Sequence, residues 1–448
     1  MQLTVLGQNK TLTGKVVDEN SNPISFANVG LPEHGIGTAT NLSGLFDIHI
    51  REGFQQDSLV ISAIGFETKK IKIADLIAVD SIIISLEPHV LVMKGLTVNA
   101  LDENAKSIVV KALNNYKTNY IRKKYQLKGF YRQLIRNDET YMLLAEAAFT
   151  VFDRGYNKYQ DKRVRLDALR KSNDHRDMDS LDIHYDTLME HNDLMGLLGS
   201  DYIDSRRDRN GYGYWPLVNQ SMTRNFDFLL DSLSYFDGHL VYCISFFSNR
   251  DWMSNKYQEF NRLIIRTGDY AVIEMHVGMK PKEITNSTKE QRGNAAYLVD
   301  GWRRLQVIKY RKYKNHWYPY YMSSYGSLVG GDKQKASRLA FEQARQTGST
   351  TLNYKDQSLN GRKIDPDKNN FYSFRELLIT EVKDRGDKFR KVKLKEQMDR
   401  NQYVRNHKKE YDPDFWKNYN VLLINPFMNK ARSDLEKLAK LSEQFPQN

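Results

Sequence analysis

The densest gathering of chemistry-bearing side chains lies between Asp174 and His191, where His175, Asp179, Asp182, His184, Asp186 and His191 crowd one short span. Neutral imidazoles and carboxylates are the donors that zinc or another divalent ion takes. His184, His191 and Asp186 are therefore the metal candidates, though weak ones, because their spacing fits no metallopeptidase pattern such as His-Glu-x-x-His. Acidic loops around helix caps give the same composition, so the expectation is no metal and no cofactor. Nucleophilic catalysis has equally little to stand on. No Gly-x-Ser-x-Gly elbow occurs, and Cys243, the only cysteine, sits in the apolar run Leu240-Val241-Tyr242-Cys243-Ile244, which disfavours a thiolate. A buried, inert thiol on a strand is expected, and a non-enzymatic chain.

Two aromatic groups are candidates for contact with a partner: Trp215 with Tyr212, Tyr214 and Pro216, and Trp317 with Tyr313, Tyr318, Tyr320 and Tyr321. Such residues anchor interfaces or fill β-cores. Strand alternation puts Trp317 and Tyr318 on opposite faces and leaves one of them exposed. A third candidate surface is basic, residues 383–409, with Lys391 and Lys393 at its centre and Phe389 and Tyr403 interleaved. Interspersed acids blunt its field, so a solvated face is the first expectation, an anionic lipid contact the second, and nucleic acid no partner.

The elements that must position these residues are mainly strands. With 448 residues, 27 Tyr and 20 Phe against 10 Pro, the chain suits extended sheet in two or three domains. The formal charge is +12, unevenly spread: residues 1–100 hold 7 Lys+Arg against 10 Asp+Glu, and the basic excess lies beyond them. No apolar run approaches the ~18 residues of a membrane-spanning helix. Met1 to Gln8 lacks a basic n-region and reads as the tail of a truncated signal peptide, with Gly7 at the cleavage point.

From Leu12 to Leu86, short apolar β-runs alternate with turns such as Asn20-Ser21-Asn22-Pro23 and Asn41-Leu42-Ser43-Gly44, the pattern of a small β-sandwich. Strands are expected at 12–17, 25–31, 44–50, 58–64, 68–73 and 81–86. Gly35 and Gly37 are expected to shape a bend within His34 to Thr40, whose loop is a candidate docking surface. Four segments in order, Gly14-Lys15-Val16-Val17-Asp18, Pro23 to Val29, Gly37 to Phe46 and Leu59 to Phe66, resemble the carboxypeptidase regulatory-like domain. That resemblance implies a transthyretin-like sandwich, common on outer-membrane transporters and other envelope proteins of Bacteroidota. It implies no zinc ligands and no peptidase, since the family is an accessory domain.

Beyond Pro88 a linker leads to a helix over Glu103 to Tyr120, where Ile108, Val109, Ala112, Leu113, Tyr116 and Tyr120 fall on one stripe. Strands return at Tyr125 to Ile135 and Tyr141 to Phe152. Three long stretches follow: Tyr235 to Phe247, Gln258 to Val277 with a turn at Thr267-Gly268-Asp269, and Arg304 to Met322 with a turn at Lys314-Asn315. Leu263-Ile264-Ile265-Arg266 with Tyr270 to Glu274 is similar to a hairpin of lipoprotein-carrier-like half-barrels, in which strands wrap a lipid-accommodating concavity. Phe130-Tyr131-Arg132-Gln133 and Tyr411 to Asn420 resemble an uncharacterised region that follows this sandwich in Bacteroidota proteins.

The expected organisation is a sandwich at 9–90, a linker and helix at 91–124, and an antiparallel, half-barrel-like α+β domain at 125–448. The expected role is a binding or scaffold subunit of an outer-membrane-associated complex, periplasmic or bound to that membrane, with a protein partner. A periplasmic lipid or lipoprotein carrier is the second reading and a hydrolase the third.

Overall fold

The computed structural model describes residues 10–79, 81–89, 104–137, 140–156, 162–173, 194–201, 203, 220–249, 257–281, 303–329, 370–398, 404, 407–425, 427–437 and 439–445. The first strands are β1 (Lys10–Val17), β2 (Asn28–Leu31), β3 (Ile36–Ala39), β4 (Leu45–Ile50), β5 (Ser58–Ser62), β6 (Lys69–Lys72) and β7 (Ile82–Ser85), with the short helix α1 (Ile73–Ile77) before β7. β1 pairs antiparallel with β4 and parallel with β7, while β3, β2, β5 and β6 line up in a second sheet. Alternate residues of each strand turn inward, so Val16, Val29, Phe46, Ile48, Leu59 and Ile61 close a dry core between the two layers.

The helix α2 (Ala105–Asn119) starts two residues later than the sequence indicates, because the side chain of Asn104 caps it by accepting from the Lys106 amide. Then come β8 (Tyr125–Asn137), β9 (Thr140–Asp153), β10 (Arg163–Lys171), α3 (Leu194–Leu198), α4 (Gln220–Asn225), β11 (Phe226–Phe236), β12 (His239–Ser248), β13 (Tyr257–Glu259), β14 (Asn261–Arg266), β15 (Val272–Pro281), β16 (Arg303–Tyr313), β17 (His316–Val329) and β18 (Asn370–Lys383). Three short helices follow, α5 (Pro413–Lys417), α6 (Phe427–Leu435) and α7 (Leu441–Gln444).

The long strands and the second layer of the sandwich belong to one sheet. Its main line runs β11-β12-β14-β15-β16-β17-β18-β3-β2-β5-β6 and curls into a half-barrel, with β8, β9 and β10 branching from β18. The branch point is β18. One edge pairs along its length with β8; the other gives Asn370 to Leu378 to β17 and then Glu381 to Ile36 of β3. The two ends of the line also meet. The Gly65 amide donates to the Tyr235 carbonyl at 2.7 Å, and His89 stacks on Tyr235 with ring centroids 3.7 Å apart.

Several readings from sequence need correction. Tyr235 to Phe247 is not one strand: Asp237 and Gly238 both have positive φ, 47° and 78°, and make the two-residue turn between β11 and β12. Gly35 is the bend, at φ 65°, whereas Gly37 lies inside β3. The His34 to Thr40 segment is no outward docking loop. Thr38 and Thr40 are fully buried, and the segment docks on the chain's own β18. The linker and the aromatic group around Trp215 lie outside the described residues.

Candidate functional site

A cavity of about 400 Å³ opens where the sandwich meets the large sheet. Its floor is built by strand register. Ser232, Cys243, Ile264, Glu274 and Lys309 are successive partners across β11, β12, β14, β15 and β16. Directly opposed residues on antiparallel strands share a face, so all five turn toward the sandwich. A register irregularity opposite Lys309 and Tyr310 leaves Tyr320 unopposed between Pro319 and Tyr321, and Tyr320 joins the same wall. The facing wall comes from the sandwich: Ile24 to Phe26 and Ser62 to Ile64, with Phe66.

The charges in this wall are unequal. Glu274 is the one carboxylate among the described lining residues and is already shared, 3.0 Å from Lys309 Nζ and 2.5 Å from His276 Nε2. Burial alone would push its carboxyl up, but Lys309 and His276 beside it overrule that and hold it at about 2. Burial likewise works against the charged Lys309, and Glu274 more than offsets it, so the ammonium is held above its ordinary value. Arg262 pairs across the sheet with His276, is exposed at the cavity, and has no carboxylate partner among the described residues.

Arg311, two positions beyond Lys309 on β16, is a stronger oddity. It is 5% exposed, and neither terminal nitrogen has a hydrogen-bond partner among the described residues. Burial pulls the guanidinium down to about 10, which still leaves it charged at neutral pH. It lies across Gly30 and Gly37, which face each other on β2 and β3. A Cβ at residue 37 would fall 1.8 Å from Nη1, so glycine there makes room for the arginine. On its other side the guanidinium carbon is 5.7 Å from the centroid of Tyr320.

The residues singled out from sequence divide between places. His184, His191, Asp186 and Trp215 lie outside the described residues, and no group of three or more His, Cys, Asp or Glu able to hold a metal occurs among the described ones. Trp317 and Tyr318 are each 1% exposed, so alternation does not leave either on the surface. Both faces of β17 are covered here: Trp317 sits under Arg266, 5.3 Å from its guanidinium carbon, and Tyr318 packs edge-on against Tyr125 at 5.5 Å. Tyr320 alone of that group reaches the cavity. Lys391 and Lys393 are exposed, and Arg163, with Arg154 and Lys124, depresses the Lys391 ammonium, which marks a basic surface away from the cavity wall.

Lys309, Arg311, Arg262 and Glu274 were not singled out from sequence. The signal lay in their alternation: Lys309 and Arg311, or Glu274 and His276, fall on one face of a strand whose other face is also covered. Alternating charge in a strand reads as a wet face until another layer is known to pack on it.

A second buried charge cluster lies elsewhere. Arg132, 1% exposed, donates to Glu146 at 2.6 Å, to Glu376 at 2.8 Å and to the Leu422 carbonyl at 2.7 Å. Each of its three nitrogens donates to one of these acceptors, and the chain's C-terminal segment, with Trp416 against Phe130 and Arg170, covers it.

Residues 12–98 match the model of the CarboxypepD_reg-like domain family, and the N-terminal sandwich is such a domain. No curated protein matches the chain. Among solved structures, the chain is similar to a proposed outer membrane lipoprotein-sorting protein domain from Vibrio parahaemolyticus, at 9% identity and a TM-score of 0.25, covering 64% of this chain and 95% of that one. It is similar also to a LolA superfamily protein from Nitrosomonas europaea (10% identity, TM-score 0.23, 63% and 94% covered). A DUF1329 family protein from Desulfovibrio piger is matched at 11% identity and a TM-score of 0.24, over 62% and 93%. At TM-scores this low the likenesses carry no functional inference.

Proposed function

We propose that this chain is a non-enzymatic binding subunit of the cell envelope and that it holds a partner group or ligand in the cavity between its sandwich and its large sheet. The observation that carries this reading is the cavity itself. At about 400 Å³ it falls in the range of ligand sites, ~300–1,000 Å³, and its walls come from two parts of the chain that one continuous sheet holds together. The envelope address rests on the regulatory-like sandwich and the company such domains keep. No helix among the described residues is long and apolar enough to cross a membrane, a statement that leaves β-barrels aside.

A lipid or lipoprotein carrier is the second reading, and one observation relocates it. Between α2 and the sheet the free space is about 10 Å³, room for about one water among the described residues. An acyl ligand would therefore sit at the junction.

The test is affinity purification of the tagged protein from its native membrane beside Ser232→Trp. Ser232 is exposed on the cavity wall, so an indole there fills the space without disturbing a core. The expected result is a partner that comes with the wild type and is lost from the variant. A protein that comes alone from gentle detergent, or a partner retained fully by Ser232→Trp, sinks the reading.

A further inference from the structure

We infer that the junction cavity takes an anionic amphiphile, a phosphate-type head on an apolar body. This rests on the cavity being the binding site, and it adds the chemistry of what enters. Glu274 is committed to Lys309 and His276, which leaves Arg262 at the opening with no carboxylate partner among the described residues. Arg311 adds a buried guanidinium with two idle terminal nitrogens, 5.7 Å from the ring of the wall residue Tyr320. Among the described residues, Arg262 in the wall and Arg311 behind Tyr320 have no carboxylate partner, and the one lining carboxylate is committed, which gives the site a positive field, stronger for being partly desolvated.

An acid entering there gains a charge-assisted hydrogen bond from a guanidinium whose planar fork suits phosphate. Ser62, Ser232 and Ser234 offer hydroxyl donors in the same wall. A cation would meet repulsion, and a neutral sugar would leave the imbalance untouched. The remaining wall is apolar, with Phe26, Ile64, Phe66, Leu233, Phe236 and Ile264, and this surface stays wet unless a hydrocarbon or aromatic body covers it. Lys309 lies 5.6 Å from the centroid of Phe26, so polar and apolar regions of the wall meet within one ligand's length.

The experiment is titration calorimetry on the full chain with octyl phosphate below its micelle concentration, with octyl glucoside as the neutral equivalent and inorganic phosphate as the bare head. Octyl phosphate is expected to bind one per chain. Arg262→Ala should weaken it by about tenfold or more, the loss of one charge-assisted bond, with the melting temperature unchanged because Arg262 is exposed. Arg311→Met should weaken it too. Octyl glucoside binding as tightly as octyl phosphate overturns the anionic half of the inference, and inorganic phosphate binding as tightly overturns the apolar half and identifies a free-phosphate site. No binding of octyl phosphate, or binding that Arg262→Ala leaves intact, overturns it whole. If that happens while Ser232→Trp still releases a native partner, the chemistry is wrong and the binding reading stands; if neither responds, both fall.

Discussion

At the scale of single residues, the junction is held by groups that are costly to bury. Arg311 has no acceptor for its terminal nitrogens among the described residues, and an ion without partners destabilises a fold. Arg311→Met should therefore raise the melting temperature of the unliganded protein while weakening ligand binding; a lower melting temperature would mean that the guanidinium has partners that support the fold. Gly37→Ala should destabilise the protein because its Cβ would land on Nη1, and in an Arg311→Ala background the loss should shrink. Urea denaturation of the four proteins of that cycle gives the coupling. Glu274 predicts a pH dependence. Its folded carboxyl sits at about 2, below its ordinary value, so the stability it supplies is complete above about pH 4.5 and is lost as pH falls through about 2. The size is on the order of 3 kcal/mol. Glu274→Gln should flatten the stability profile across that window, and an unchanged acid limb would show that the carboxylate is not held by Lys309.

At the scale of elements, what was legible followed local rules, and what was not depended on distant partners. The turn at Lys314-Asn315 and the α2 stripe through Ile108, Val109 and Ala112 were readable because turn chemistry and helical spacing are local. Asp237-Gly238 is an equally local hairpin signal, but the apolar residues on both sides masked it as a continuous strand. The strand β3 was hidden because Gly35 and Gly37 read as a bend; Gly37 is instead paired with Gly30 of β2, and it is the guanidinium of Arg311, far away in sequence, that leaves no room for a Cβ there. α5 illustrates the same dependence at the other end: Trp416 is 6% exposed because Phe130 and Arg170 meet it, with Arg170 4.4 Å from its ring centroid. Trp416→Ala should cost ~3–5 kcal/mol, by lost packing and by admitting water to the Arg132 cluster. Urea midpoints measure this, and a cost under about 1 kcal/mol would show that the segment is not part of the core.

At the scale of the whole molecule, the sandwich was readable from its turns, but its role was not. Nothing in residues 10–89 announces that β3 will pair with β18, that Arg51 will meet Glu381 at 3.0 Å, or that the Asn41 side-chain Nδ2 will donate to the Ile424 carbonyl at 2.8 Å. These contacts make the sandwich a wall of the cavity. They also predict that it melts together with the large sheet in one calorimetric transition; two well-separated transitions would show that the junction is loose. With the cavity as the binding site, the junction is occupied in the cell. Native mass spectrometry of the protein released gently from its own membrane tests it most directly. A wild-type population carrying the added mass of one small ligand is expected, absent from Ser232→Trp purified alongside. Bare protein in both samples, or the same added mass in both, would contradict it.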